Sequence, residues 1–274
     1  MTFFRANVAV GGYGDPWQLP EDIGELFKFP ALPFTEGWEL FGLDLSINRT
    51  VLIIFTSVLV AMALFGIAFN SPRIVPNRLQ ALAEAIVSFV RDRVAIEIIG
   101  PQGSRFVPLL LTMFIFILLN NLAKITPFMM LPPTSRIAIP LFLAVIAWVL
   151  YIYLGMKTQG PLTYLKDIAF PPDVPKPVYF ILTPIELVSA LILRPFTLAI
   201  RLFANMVAGH ILVVITLITI HAFLVLGPGL PVGIFALVAS PLVFGFEFFI
   251  ICLQAYIFIM LTAVYIESSL NPAH

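Results

Sequence analysis

Two apolar stretches near the C-terminus, Thr183 to Leu226 and Val232 to Glu267, are too long to cross a lipid bilayer upright, and nothing else constrains the fold as much. As helices of about 44 and 36 residues they would measure roughly 65 and 55 Å at ~1.5 Å per residue, against a hydrocarbon core of ~30 Å. Helices of that length must tilt or bend. Pro184 and Pro195 offer bend points in the first. Gly227, Pro228 and Gly229 separate the two stretches, so they read as an antiparallel hairpin. Composition excludes a soluble domain of this size: 60% of the 274 residues are hydrophobic, 11% are charged, and the mean hydropathy is +1.03. The fold class is therefore all-α integral membrane, with five membrane-embedded helices and one amphipathic surface helix.

The remaining segments fill in that plan. Residues 1–46 carry Asp15, Glu21, Asp22, Glu25, Glu36, Glu39 and Asp44 against Arg5 and Lys28, and read as an acidic extramembranous segment with little structure of its own. The membrane domain, 47–274, opens with a first crossing at 47–70, whose apolar run is Val51 to Phe69. Pro76 then starts a helix over 76–100. Leu79, Leu82, Ile86, Phe89, Val90 and Val94 form its apolar stripe, while Arg78, Gln80, Glu84, Ser88, Arg91 and Asp92 fill the remaining arc. Such a helix either lies on the membrane surface or packs on other protein. Residues 106–156 read as a transmembrane hairpin, Phe106 to Leu131 and Ile137 to Met156. A proline- and lysine-containing loop at 157–182 precedes the tilted hairpin at 183–268.

Basic residues in short loops set the orientation. Arg73, Arg78, Arg91, Arg93 and Arg105 share one loop, and Lys157, Lys166 and Lys176 another, so both face the cytoplasm. The N-terminal segment and the turn at Pro228 then lie outside. The N-terminus MTFFRANVAVGGYGD breaks into glycines before an apolar core develops, so the first membrane helix is expected to act as the insertion signal. Cys252 is the single cysteine, which excludes a disulfide framework and a thiolate metal site. No phosphate-cradling glycine loop occurs, and nucleotide chemistry is not expected in this chain.

Inside the long hairpin stand Glu186, Arg194, Arg201, Asn205, His210, His221, Glu247 and Gln254. An arginine at the centre of a membrane helix costs ~2.5 to 3.5 kcal/mol, so it marks a protein interior, a watery cavity or an ion path. Arg201 is far from either end of its apolar run. Arg194 either snorkels to a headgroup or faces the interior. At ~100° per residue, Arg194 and Asn205 fall within about 40° of Arg201. His210 lies about 180° away, with His221 within about 20° of it. One helix thus carries two opposed polar stripes. Thr197, Ala204 and Ala208 leave the Arg201 face small, suited either to a close partner or to another helix of this chain. In an antiparallel hairpin, residues at one level share the same mean number. For His210 with Glu247 and for Arg201 with Gln254 that mean is about 228, the position of Pro228 in the turn.

The stretch LRPFTLAIRLFANMVAGH from Leu193, with FEFFIICLQAYIFIMLTAVY from Phe246, resembles subunit a of the F-type ATP synthase. Arg201, Leu202, Phe203, Asn205, Ala208 and Gly209 carry the likeness in the first block, and Leu253, Gln254, Ala255 and Tyr256 in the second. The layout of the whole chain follows the same plan. The resemblance implies that Arg201 is the stator arginine facing a ring of c subunits, with Asn205 and Gln254 as polar neighbours. It implies an outer half-channel at His210 and Glu247, approached past His221, Asn120 and Asn121, and an inner one at Glu186 and Arg194. Lys124 departs from that pattern, since relatives often carry an acid or a neutral residue there. Implied partners are the c-ring, peripheral-stalk b subunits, lipid and, indirectly, the F1 sector, with no nucleic acid, cofactor or metal. The chain would be a non-nucleotide-binding subunit of an ion-transporting two-sector ATPase. A bacterial plasma membrane is the expected location, with a mitochondrial inner membrane as the alternative, and either H+ or Na+ could be the coupling ion. From another class, a secondary transporter could bind an anionic substrate at Arg201, but that architecture expects an internal repeat and none is visible.

Overall fold

Because lipid offers no hydrogen-bond partners, a spanning backbone must satisfy itself, and the apolar runs of this chain do so as helices. The computed structural model describes residues 39–40, 43–44, 48–126, 133–170, 179–224 and 228–271. Most of the acidic N-terminal segment, the turn residue Pro132, the loop residue Lys176 and Gly227 of the hairpin turn lie outside the described residues. Within the N-terminal segment, Glu39–Leu40 (β1) and Leu43–Asp44 (β2) pair as a two-residue antiparallel ladder, a local structure the sequence does not announce. Every other described element is helical: α1 (Arg49–Phe69), α2 (Arg78–Ser88), α3 (Glu97–Ile99), α4 (Val107–Leu122), α5 (Ala138–Gln159), α6 (Pro161–Ala169), α7 (Tyr179–Val188), α8 (Arg194–Phe223) and α9 (Leu230–Leu270), with π or 3-10 turns between some of them. Five spans are long and apolar enough to cross a membrane. The last two, Tyr179–Phe223 and Leu230–Leu270, hold 45 and 41 residues. At ~1.5 Å per residue both far exceed a ~30 Å core, so they cannot stand upright.

Several elements differ from expectation. The run expected to continue to Leu131 leaves the α-helix at Leu122, where Lys124 and Ile125 donate to the carbonyls of Asn121 and Leu122 in tighter turns. Pro127, three residues on, brings no N–H and disfavours helical backbone at Thr126. The loop expected at 157–182 contains α6. Gly160, at φ +88°, ends α5 in a backbone region open to glycine, and Pro161 starts α6 at a position where its missing N–H is harmless. The buried Tyr164 lies on that helix.

The surface helix buries Val90 and Val94 of its expected stripe, but its first turns depart from it. Asn77 caps α2 by accepting the Gln80 N–H at 2.8 Å. Gln80, placed by periodicity on the polar arc, is buried: its amide bonds the N–H and carbonyl of Arg73 and the Glu84 carboxylate, tying down the preceding loop. Leu82, by contrast, is exposed. A π-helical stretch, Phe89–Ile96, then breaks the 3.6-residue period, and Val90, Val94 and Ala95 become the buried side. Phe89 keeps aromatic contact with Phe114 and Tyr256. On the solvated side, Arg91 binds Asp92 at 2.8 and 3.2 Å, and this hydrogen bonding holds the Asp92 carboxyl below the usual carboxylate range.

The predicted bend at the prolines of the long span resolves into a defined backbone feature. Between Pro184 and Pro195 lies a π turn, Ser189–Leu193, with the Arg194 N–H donating to the Ser189 carbonyl. In α9, Pro241 leaves the Leu237 carbonyl without its helical donor, and the Ser240 hydroxyl donates to that carbonyl instead, at 2.8 Å.

Contacts divide the chain into two compact units: one of residues 1–56, 120–135 and 205–251, the other of residues 57–119, 136–204 and 252–274. In the first, Met206, Val213 and Ile251 are buried beside an unusually polar set, Asn120, Asn121, Lys124, Thr134, His210 and Glu247. The second has an apolar core built on Leu110, Ile117, Tyr151, Leu202, Phe258, Ile259 and Ile266.

Candidate functional site: a buried ion pair and an exposed arginine

In the first unit, the end of α4, the middle of α8 and the first half of α9 meet around Glu247. Lys124 reaches it with its ammonium, and the side chains are 0% and 2% exposed. Burying two charges is unfavourable unless they pair closely. Gly209 makes the pairing possible: a Cβ there would lie 2.5 and 2.8 Å from the two Glu247 oxygens and would also overlap the Lys124 ammonium. Glu247 therefore sits against the α8 backbone one residue from the buried His210. The neighbouring Asn121 accepts a hydrogen bond from Thr134 at 2.6 Å, and its buried amide nitrogen finds no acceptor among the described residues. Such a group suits an internal water. Asn120 is equally buried, and His221, further along α8, is half-buried. Among the described residues no three His, Cys, Asp or Glu side chains converge as metal ligands do.

In the second unit, Arg201 is exposed, and so are Thr197 and Ala204 on the same side of α8. No helix of the same unit covers these three residues of the small-residue face. Among the described residues no carboxylate pairs with Arg201. Gln254, on α9, is buried, Glu186 on α7 is half-buried, and Asn205 is half-buried in the first unit. Arg194 pairs with no acid among the described residues; its guanidinium lies 5.5 Å above the Tyr265 ring. Two participants escaped the sequence reading. Lys124 was noted without its partner, which is 123 residues away, and Tyr151, whose hydroxyl donates to the Ala190 carbonyl at 2.7 Å, was not singled out. A tyrosine inside an apolar crossing was the only available signal, because a buried phenol needs a partner.

Fold and site together define a polytopic membrane protein that exposes Arg201 within a long apolar span and encloses the Lys124 and Glu247 pair. The profile of the family described as "ATP synthase A chain" matches residues 50–267. The chain is 44% identical over 229 residues to the ATP synthase subunit a of Rhodococcus erythropolis, covering 82% of this chain and 83% of that one. It is 40% identical over 231 residues to that of Frankia alni, covering 84% and 79%. Against the subunit a of a Nocardioides species it is 36% identical over 276 residues, covering 99% of each. The chain belongs to the ATP synthase subunit a family.

Proposed function

We propose that this chain is the stator of a rotary ATP synthase in a bacterial plasma membrane, offering two offset half-channels to a ring of c subunits. Arg201 carries the reading: a permanent charge on an exposed, small-residue face has use only if a partner's carboxylate passes it. On this reading a proton enters from outside past Asn120, Asn121 and His221, reaches the His210 and Glu247 level, and neutralises a ring carboxylate, which can then turn out into lipid. After most of a revolution that carboxylate meets Arg201, whose fixed charge, flanked by Asn205 and Gln254, favours the ionised form. The proton then leaves past Glu186 and Arg194 to the cytoplasm. Arginine does not deprotonate and so cannot carry the proton. It keeps the half-channels electrically separate. Each proton contributes ~2.3 kcal/mol per 100 mV, so several are needed for one ATP. Peripheral-stalk b subunits hold the chain against the ring's torque, and the F1 sector performs the nucleotide chemistry.

Family membership favours this reading over a transporter binding an anion at Arg201. An Arg201→Ala variant in membrane vesicles is expected to assemble with its partners and to lose ATP-driven proton pumping. Coupled pumping by that variant would remove Arg201 from the mechanism.

A further inference from the structure

The π turn that precedes the helix of Arg201 leaves one carbonyl without its α- or π-helical backbone donor. In the π turn, the Arg194 N–H is diverted to Ser189, so it is not available to Ala190. The next residue, Pro195, has no N–H. The carbonyl of Ala190 therefore lacks both the donor of an α-helix, four residues on, and that of a π-helix, five residues on. Ala190 is buried. The Tyr151 hydroxyl, on α5, fills the gap by donating to it at 2.7 Å. Tyr151 is itself fixed: it is 1% exposed, and its ring packs 5.6 Å from that of Tyr265. The Arg194 guanidinium covers the same Tyr265 ring at 5.5 Å. All these residues lie in the second unit, with Glu186 and Arg201.

The π turn sets how Arg201 faces relative to everything before it. On an uninterrupted α-helix, Glu186 would be offset from Arg201 by about 60°. A π turn absorbs one extra residue, which moves the offset by about 100°, to about 40° on the other side. A turn that can relax would let Arg201 swing away from its partner's path or bring Glu186 onto it.

We propose that Tyr151 is a positioning residue for Arg201: its hydroxyl supplies the donor that Pro195 lacks and so locks the π turn that fixes the rotational phase of the arginine. This rests on Arg201 being the stator charge. Tyr151→Phe deletes only the hydroxyl and keeps the ring. In purified, reconstituted complexes matched for subunit content, it is expected to lower the protons pumped per ATP hydrolysed by about tenfold, the scale of stranding one buried carbonyl. A merely structural loss would lower the yield of complexes and leave that ratio unchanged. Pro195→Ala restores an N–H five residues from Ala190, so the double variant Tyr151→Phe/Pro195→Ala is expected to recover most of the ratio. An unchanged ratio in Tyr151→Phe overturns the proposal, and so does a lowered ratio that Pro195→Ala leaves unrepaired. Arg201→Ala in the same preparation tests the underlying reading separately, since its outcome does not depend on Tyr151.

Discussion

A lysine and a glutamate that are both withdrawn from solvent hold each other in place, and each becomes a liability when the other is removed. The unfavourable burial of an unpaired charge exceeds what a good pair gains, so single neutralisations are the damaging ones. Lys124→Met or Glu247→Gln alone is expected to lower the stability of the subunit by ~3–5 kcal/mol, seen as a lower midpoint in thermal inactivation of the assembled complex. Lys124→Met/Glu247→Gln removes both charges and should return most of that midpoint. Pumping separates scaffold from channel. If Glu247 takes part in proton transfer, the stable double variant stays inactive; full pumping by it would reduce the pair to packing.

At the scale of helices, the approach of α8 to the ion pair depends on one missing side chain. Gly209→Ala places a methyl group where the Lys124 ammonium and the Glu247 carboxylate already sit. The expected penalty is ~1–3 kcal/mol from overpacking. The same substitution in a Lys124→Ala background should cost less, because one of the two crowded groups has gone and Glu247 gains room to shift. A double-mutant cycle on thermal midpoints reads the difference, and strict additivity would mean that the methyl is accommodated elsewhere. These elements also show what the sequence could and could not tell. The two long helices follow from apolar run lengths, and counting residues outward from Pro228 brings the level of Gly209 and His210 to Glu247, where Gly209 meets it; the small residues around Arg201 leave open whether a partner or this chain covers that face. The ion pair was illegible because Lys124 and Glu247 meet only through tertiary packing, with nothing in either local sequence naming the other. The π turns were illegible for a different reason. They change the helical period within a few residues, which a fixed 100° wheel cannot follow; Gln80, upstream of them, was placed outward because the wheel cannot foresee a side chain binding the backbone of Arg73. Two prolines marked a disturbance in the α7 to α8 span but not its form.

For the whole molecule, the decisive question is which side of the membrane each end of the hairpin faces, because the half-channels are named by side. The basic residues Arg73, Arg78, Arg91, Arg93, Arg105, Lys157 and Lys166 are all exposed, available to headgroups and water. Their loops belong on the cytoplasmic side by the bias of lysine and arginine. Ser104, near the start of the span Pro101–Leu122, and Pro228, both exposed, lie at the two ends of a run of spans that continues through Ala138–Gln159 and Tyr179–Phe223. Three crossings put them on opposite sides whatever the orientation. With Cys252 replaced by serine, a cysteine at Ser104 should react with a membrane-impermeant maleimide only in inverted vesicles, and one at Pro228 only in right-side-out vesicles. Labelling of both from the same side would mean that one of these spans does not cross, and the half-channel scheme would fail with it. The opposite pattern would keep the architecture but reverse the path, making the His210 and Glu247 level the cytoplasmic exit.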